Sequence, residues 1–151
     1  MNSQLGFNET VSPDELVVRN GIFYKKFTDT PFIGEVSGQQ NGNIKNGRRD
    51  GFWESYYESG QLSWKGSYKN DCLDGPWEYY YENGQLTFKG DYTAGKEDGV
   101  FEYFKEDGSF EKKETWKNGT LVFDNTNNSL TYTPNANFNG NDSFNVVANN
   151  R

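Results

Sequence analysis

The chain of 151 residues holds no histidine, one cysteine and four prolines, and no apolar run approaches the ~20 residues of a membrane-spanning helix. Without histidine the commonest general acid–base group and the commonest transition-metal ligand are gone. A lone Cys72 builds neither an intrachain disulfide nor a thiolate cluster, and with no histidine to activate it reads as an incidental loop thiol. Basic residues are short as well: 15 Lys and Arg against 22 Asp and Glu leave a net charge of -7. That balance argues against nucleic-acid phosphates and an anionic membrane surface as partners. The N-terminus has no basic start followed by an apolar stretch, so it is not a secretory leader, and a cytoplasmic location is expected. No cofactor, metal or catalytic residue is expected, and the chain reads as a non-enzyme.

Apolar residues make up only 32% of the chain, yet aromatics reach 17% and glycines number 17. Short strands and tight turns fit that composition better than packed helices. A 24-residue pattern then organises the middle of the chain. Asp50-Gly51-Phe52-Trp53-Glu54 returns as Asp74-Gly75-Pro76-Trp77-Glu78 and again as Asp98-Gly99-Val100-Phe101-Glu102, a fixed period that marks a repeat architecture. Before it, residues 1–20 read as a loose lead-in with one helical turn, because Ser12-Pro13-Asp14-Glu15 supplies a capping serine, a first-turn proline and a glutamate three residues on. Strands are expected at Ile22–Phe27 and Phe32–Ser37.

The fold expected is all-β: an elongated antiparallel meander of ~24-residue hairpins with a short C-terminal β appendage. A divergent unit covers 21–50 and regular units cover 51–74, 75–98 and 99–119, with a boundary near Gly119. The Asn-rich tail, 120–151, carries strand signals at Leu121–Asp124, Leu130–Thr133 and Ser143–Ala148. Two-residue turns with both residues at positive φ are expected at Ser59-Gly60, Asn83-Gly84 and Asp107-Gly108. Such turns place Tyr57 opposite Leu62, Trp53 opposite Gly66 and Glu54 opposite Lys65, and likewise Tyr81 opposite Leu86, Trp77 opposite Gly90 and Glu78 opposite Lys89. Glu102 faces Lys113.

Alternation along the strands then sorts the side chains. One face collects Trp53, Tyr57, Leu62, Trp64, Tyr68, Trp77, Tyr79, Tyr81, Leu86, Phe88 and Tyr92, with Gly66 and Gly90 leaving room beneath the two Trp rings. The other carries the Glu54–Lys65, Glu78–Lys89 and Glu102–Lys113 pairs with Tyr56, Tyr80 and Phe104, and is the wetter of the two. The glutamates are read as structural cross-strand partners, because carboxylates two strands apart stand about 9 to 10 Å from one another, too far to share an ion. The third unit turns polar as an end unit should, with Lys105, Lys112 and Glu114 where Tyr81, Phe88 and Gly90 stand one period earlier.

The repeat Asp-Gly-x-Trp-Glu-x-Tyr-Tyr-x-x-Gly-Gln-Leu-x-aromatic-Lys-Gly-x-Tyr resembles the MORN repeat, in the bacterial variant labelled YwqK-family antitoxins, over residues 17–119. That resemblance implies a one-hairpin-per-repeat meander, a role in protein contact and no catalytic residues. The tail from Ser129 through Thr131, Tyr132, Pro134, Phe138 and Gly140 to Phe144 is similar to the end of cadherin-like, Ig-type modules of bacterial adhesins and phage particles. It implies a surface or virion location as an alternative to the cytoplasm.

Two readings of the aromatic face stand at this point: a core, or a contact surface formed by Trp53, Tyr57, Trp64, Tyr68, Trp77, Tyr79, Tyr81, Phe88 and Tyr92. The function expected is non-enzymatic protein–protein interaction through that face or an open sheet edge. The alternatives are a structural or adhesive component of a cell surface or phage particle, and an antitoxin-like neutraliser of a partner toxin. A protein partner is implied, its identity unspecified, and open sheet edges would allow self-association.

Overall fold

The computed structural model describes residues 9–124. Among them the chain is all-β, as expected, with one short 3₁₀ turn at Pro13–Glu15. The strands are β1 (Glu9–Val11), β2 (Leu16–Arg19), β3 (Ile22–Lys25), β4 (Gly34–Val36), β5 (Gln40–Lys45), β6 (Arg48–Tyr56), β7 (Leu62–Lys69), β8 (Cys72–Tyr80), β9 (Leu86–Thr93), β10 (Lys96–Glu97), β11 (Gly99–Phe104), β12 (Phe110–Lys117) and β13 (Thr120–Asp124). One sheet runs β1-β4-β5-β6-β7-β8-β9-β11-β12-β13, with β10 beside β9. It is antiparallel except where β1 lies parallel to β4, while β2 and β3 form a separate hairpin. The sheet continues across Gly119 into β13, and the strand signals at Leu130–Thr133 and Ser143–Ala148 lie outside the described residues.

The lead-in is more ordered than its sequence suggests. The helical turn forms, with the Ser12 N–H donating to the Glu15 carboxylate at 2.9 Å. Around it, residues expected to be loose form β1 and β2. Val11 is buried with Phe32, Val36, Ile44, Trp53, Tyr68 and Trp77 in one cluster, because β1 completes the sheet edge beside β4 with Val11 in register with Val36, and Leu16 and Phe23 pack against the same cluster. The strand expected over Ile22–Phe27 stops at Lys25, where the Thr28 N–H turns back to the Lys25 carbonyl at 3.1 Å. That expected over Phe32–Ser37 shortens to Gly34–Val36.

The turns exchange roles relative to the sequence reading. Paired positive-φ residues occur at the opposite margin of the sheet: Asn46-Gly47, Asn70-Asp71, Ala94-Gly95 and Asn118-Gly119 close the links between successive hairpins. At the expected hairpin tips only the glycine is left-handed, as at Gly60 with φ +85°. There the Gly60 N–H donates to the Tyr57 carbonyl at 2.9 Å and the Tyr57 N–H to the Gln61 carbonyl at 2.8 Å, a three-residue loop with a glycine bulge. The extra residue corrects two expected pairs: Leu62 comes opposite Tyr56 instead of Tyr57, and Leu86 opposite Tyr80 instead of Tyr81. A bulge one residue later restores the register, so Trp53–Gly66, Glu54–Lys65, Trp77–Gly90 and Glu78–Lys89 pair as expected.

The repeated Asp-Gly that opens each unit has a local reason. Gly75 sits at φ +101° beside an irregularity in the β7–β8 pairing, and the Asp74 carboxylate accepts the Ala94 N–H of the next turn at 3.2 Å. Asp98 does the same for Asn118 at 3.4 Å and also meets Lys117 at 2.9 Å. Asp74 and Asp98 thereby each fasten the turn that follows their unit's opening.

Candidate functional site

The aromatic face forms a continuous ribbon of rings across β6 to β11. Trp53 meets Tyr68 edge-on at 6.2 Å between centroids, Tyr68 meets Trp77 at 5.3 Å, and Trp64 stacks on Trp77 at 4.9 Å. Tyr79 stacks on Phe88 at 4.6 Å, and Phe88 leads to Tyr103 at 5.6 Å. Offset stacks and edge contacts at these separations are the favourable ring geometries.

Glycine lets the rings lie flat. A Cβ on Gly42 would stand 2.2 Å from the Trp53 ring, on Gly66 2.4 Å from Trp77, and on Gly90 2.3 Å from Phe101. The glycines expected to leave room beneath the two Trp rings are Gly66 and Gly90, the cross-strand partners of Trp53 and Trp77. Those residues do pair along the backbone, but each strand is flanked by two glycine positions and the ring leans over the one on the preceding strand. That lean brings the Trp53 and Trp77 indole N–H groups to the Asn43 and Ser67 carbonyls, both at 3.1 Å.

This packing divides the nine residues assigned to the face. Trp53, Tyr68 and Trp77 are buried and belong to the core, so they offer no contact surface. Tyr57, Trp64, Tyr79, Tyr81, Phe88 and Tyr92 are half-buried and form the open side. The Tyr57 and Tyr81 hydroxyls donate to the Tyr80 and Phe104 carbonyls at 2.6 and 3.0 Å, tying each hairpin to the next. Burial raises the Tyr68 and Tyr79 hydroxyl pKa values and pushes that of Tyr92 up to about 12.

The ribbon extends beyond the expected set. Phe101, buried, takes the place of a third tryptophan, and Tyr103 follows where Tyr79 stands one period earlier. The 24-residue frame already put both residues there. Beyond Tyr103 two of the third unit's polar substitutions, Lys112 and Glu114, turn inward, while Lys105 is exposed. Glu114, in the glycine column, is buried, meets Lys112 at 2.5 Å and accepts the Trp116 indole N–H at 3.1 Å. Lys112 stands 4.4 Å over the Tyr103 ring. The unit does become polar, but as a partnered cluster over which β13 continues the sheet, not as a solvated end.

On the opposite face the charges form one ladder. Along the backbone Lys65 lies between Glu54 and Glu78, Lys89 between Glu78 and Glu102, and Lys113 beside Glu102. The side-chain contacts link successive hairpins, Lys65–Glu78 at 2.8 Å and Lys89–Glu102 at 2.9 Å, in place of the expected Glu54–Lys65 and Glu78–Lys89 contacts within them. Glu54 instead accepts the Asn41 side-chain N–H at 3.3 Å. The Lys65 ammonium, helped by the Tyr80 hydroxyl, holds the Glu78 carboxyl below its ordinary range, and Lys89 does so for Glu102.

The same face carries an apolar column that the sequence reading did not single out. Phe52, Pro76 and Val100 occupy one repeat position and are exposed, Phe52 at 54% and Val100 at 41%. A shallow depression of about 430 Å³ lies between Pro76 and Val100, lined also by Glu78, Asp91 and Glu102. Cys72 is exposed, and among the described residues no three His, Cys, Asp or Glu side chains gather to hold a metal.

A family model for the bacterial Ig domain matches residues 80–151, just under half of the chain. The match begins at the end of β8, runs through β9 to β13 and continues into the tail, so the C-terminal part of the chain is similar to a bacterial Ig-type module from well before Gly119. No curated protein matches the chain.

Proposed function

We propose that this chain is a non-enzymatic β-repeat module that works by protein contact, as a structural or adhesive element, with the half-buried rings Trp64, Tyr79 and Phe88 as its contact surface. The carrying observation is that these rings stay partly open on β7 to β9, while Trp53, at the first end of the same ribbon, is buried in the cluster that takes in Val11 of the lead-in. Aromatic side chains held rigidly by stacking lose little entropy on binding, which suits them to anchor a partner. The similarity of residues 80–151 to a bacterial Ig domain supports the structural or adhesive part of the reading. The 24-residue hairpins, with a ring laid over glycine in each, support the finer reading of the repeats as MORN-type units.

Copurification of bound proteins by the full chain and by its Trp64→Ser and Phe88→Ser variants tests this. Partners held by the native chain and lost at least tenfold by both folded variants support the proposal; equal capture by all three overturns it. A particle or envelope fraction that carries the chain would favour the surface role over the cytoplasmic one.

A further inference from the structure

The face opposite the ribbon combines three properties: an exposed apolar column at Phe52, Pro76 and Val100, shallow hollows beside it, and a row of alternating charge on neighbouring strands. An alternating row has a symmetry consequence. A two-fold axis parallel to the strands and passing between any two adjacent members reverses the row, and a reversed Glu-Lys-Glu-Lys row sets every glutamate against a lysine. We propose that this face docks on the same face of a second copy of the chain, sheet against sheet, about a two-fold axis between β7 and β8.

That position of the axis follows from the apolar residues. It sets Glu54 against the second copy's Lys89, and Lys65 against its Glu78. Phe52 then comes opposite the hollow between Pro76 and Val100 of the other copy, so a protruding ring meets a depression. Asn41, one strand further out, comes opposite Glu102, an acceptor for its side-chain N–H groups. The overlap runs over the six strands β5 to β9 and β11, about 29 Å, along strands of about 26 Å, or about 750 Å² per copy and about 1,500 Å² in all. This falls within the size of stable interfaces, and sheets packed face to face at about 10 Å are an ordinary arrangement. Each copy carries a net charge of -7, a repulsion that physiological salt screens beyond about 8 Å. The local complementarity acts inside that distance.

Sedimentation velocity of the full chain over a concentration series at about 0.15 M salt tests the proposal, with circular dichroism confirming that each variant is folded. A concentration-dependent dimer is expected. Lys65→Glu, which sets a glutamate against the second copy's Glu78, weakens it about tenfold or more, and the swap Lys65→Glu with Glu78→Lys, which restores opposite charges across the axis though not the alternation along the row, recovers most of the loss. Phe52→Ser, which leaves the ladder intact, weakens it by about tenfold. A zero-length carbodiimide joins Glu54 to Lys89 in the dimer; within one copy these residues are three strands apart, about 14 Å, beyond direct coupling. A chain that stays monomeric throughout the series overturns the proposal, as does a dimer indifferent to both Lys65→Glu and Phe52→Ser.

Discussion

The two faces of one sheet are built from adjacent residues with opposite fates. Trp53 is 2% exposed and Phe52, its neighbour, 54%; Phe101 is 1% exposed and Val100 41%. Hydrophobicity does not separate them, since all four are apolar. Parity along the strand does, together with what lies across it: the inward residue finds a glycine on the preceding strand, and the outward one finds Ser67, Asp91 or the Glu–Lys ladder. The energies differ accordingly. Burying an aromatic ring removes roughly 200 Å² from water, on the order of 5 kcal/mol, whereas a partly exposed cross-strand ion pair contributes about 0.2 to 1 kcal/mol. The ribbon holds the sheet together and the ladder tunes its register.

The comparison breaks most visibly at the ring itself. Trp77→Ala, which deletes the most enclosed indole and frees the Ser67 carbonyl, is expected to cost about 4 kcal/mol in denaturant unfolding, while Pro76→Ala beside it costs under about 0.5 kcal/mol. Gly66→Ala attacks the same contact from below: its Cβ would sit 2.4 Å from the Trp77 ring. A loss of about 3 kcal/mol is expected, whereas Ser67→Ala, the next residue, stays within about 1 kcal/mol. If Gly66→Ala proved neutral, the flat lie of the ring would be wrong.

Acid separates the faces at a smaller scale. Glu78 and Glu102 have folded pKa values below their unfolded ones, so their contribution is present above the unfolded pKa of about 4.3 and is lost as pH falls through the lowered folded values. Thermal unfolding midpoints should decline as pH falls from about 5 towards 3. The Glu78→Gln variant should show a shallower decline. At the alkaline end the sign is fixed by Tyr92, whose folded pKa is raised to about 12. The neutral hydroxyl is retained in the fold, so stability declines once pH passes the unfolded tyrosine value of about 10. Ultraviolet titration should show Tyr92 ionising late, and Tyr92→Phe should remove its share of the alkaline loss.

Much of this fold was legible because repetition states it several times. A 24-residue period with Trp, Glu, Tyr and Lys at fixed offsets specifies hairpins, parity and the central register at Trp53–Gly66 and Glu54–Lys65. The turn types were not legible from Asn-Gly and Asp-Gly pairs alone, because a type I turn with a glycine bulge and a type I′ turn draw on the same residues. The extended strands of the lead-in were hidden for another reason: Glu9–Val11 is too short to show a period and gains its partner only when β4 is in place.

Sequence by itself determined the hairpin count through the repeats, the two faces and the row of alternating charge, since these depend on spacing and on the two-residue period of a strand. Only the tertiary structure decided which glycine each ring covers, which lysine each glutamate holds, and which rings of the ribbon are core, as Trp53, Tyr68, Trp77 and Phe101 are, and which stay at the surface, as Trp64 and Phe88 do. Each of those choices lies between two neighbours that the register makes equivalent. The lean of side chains across the sheet, and the end of it where Val11 of the lead-in joins the cluster, break the tie.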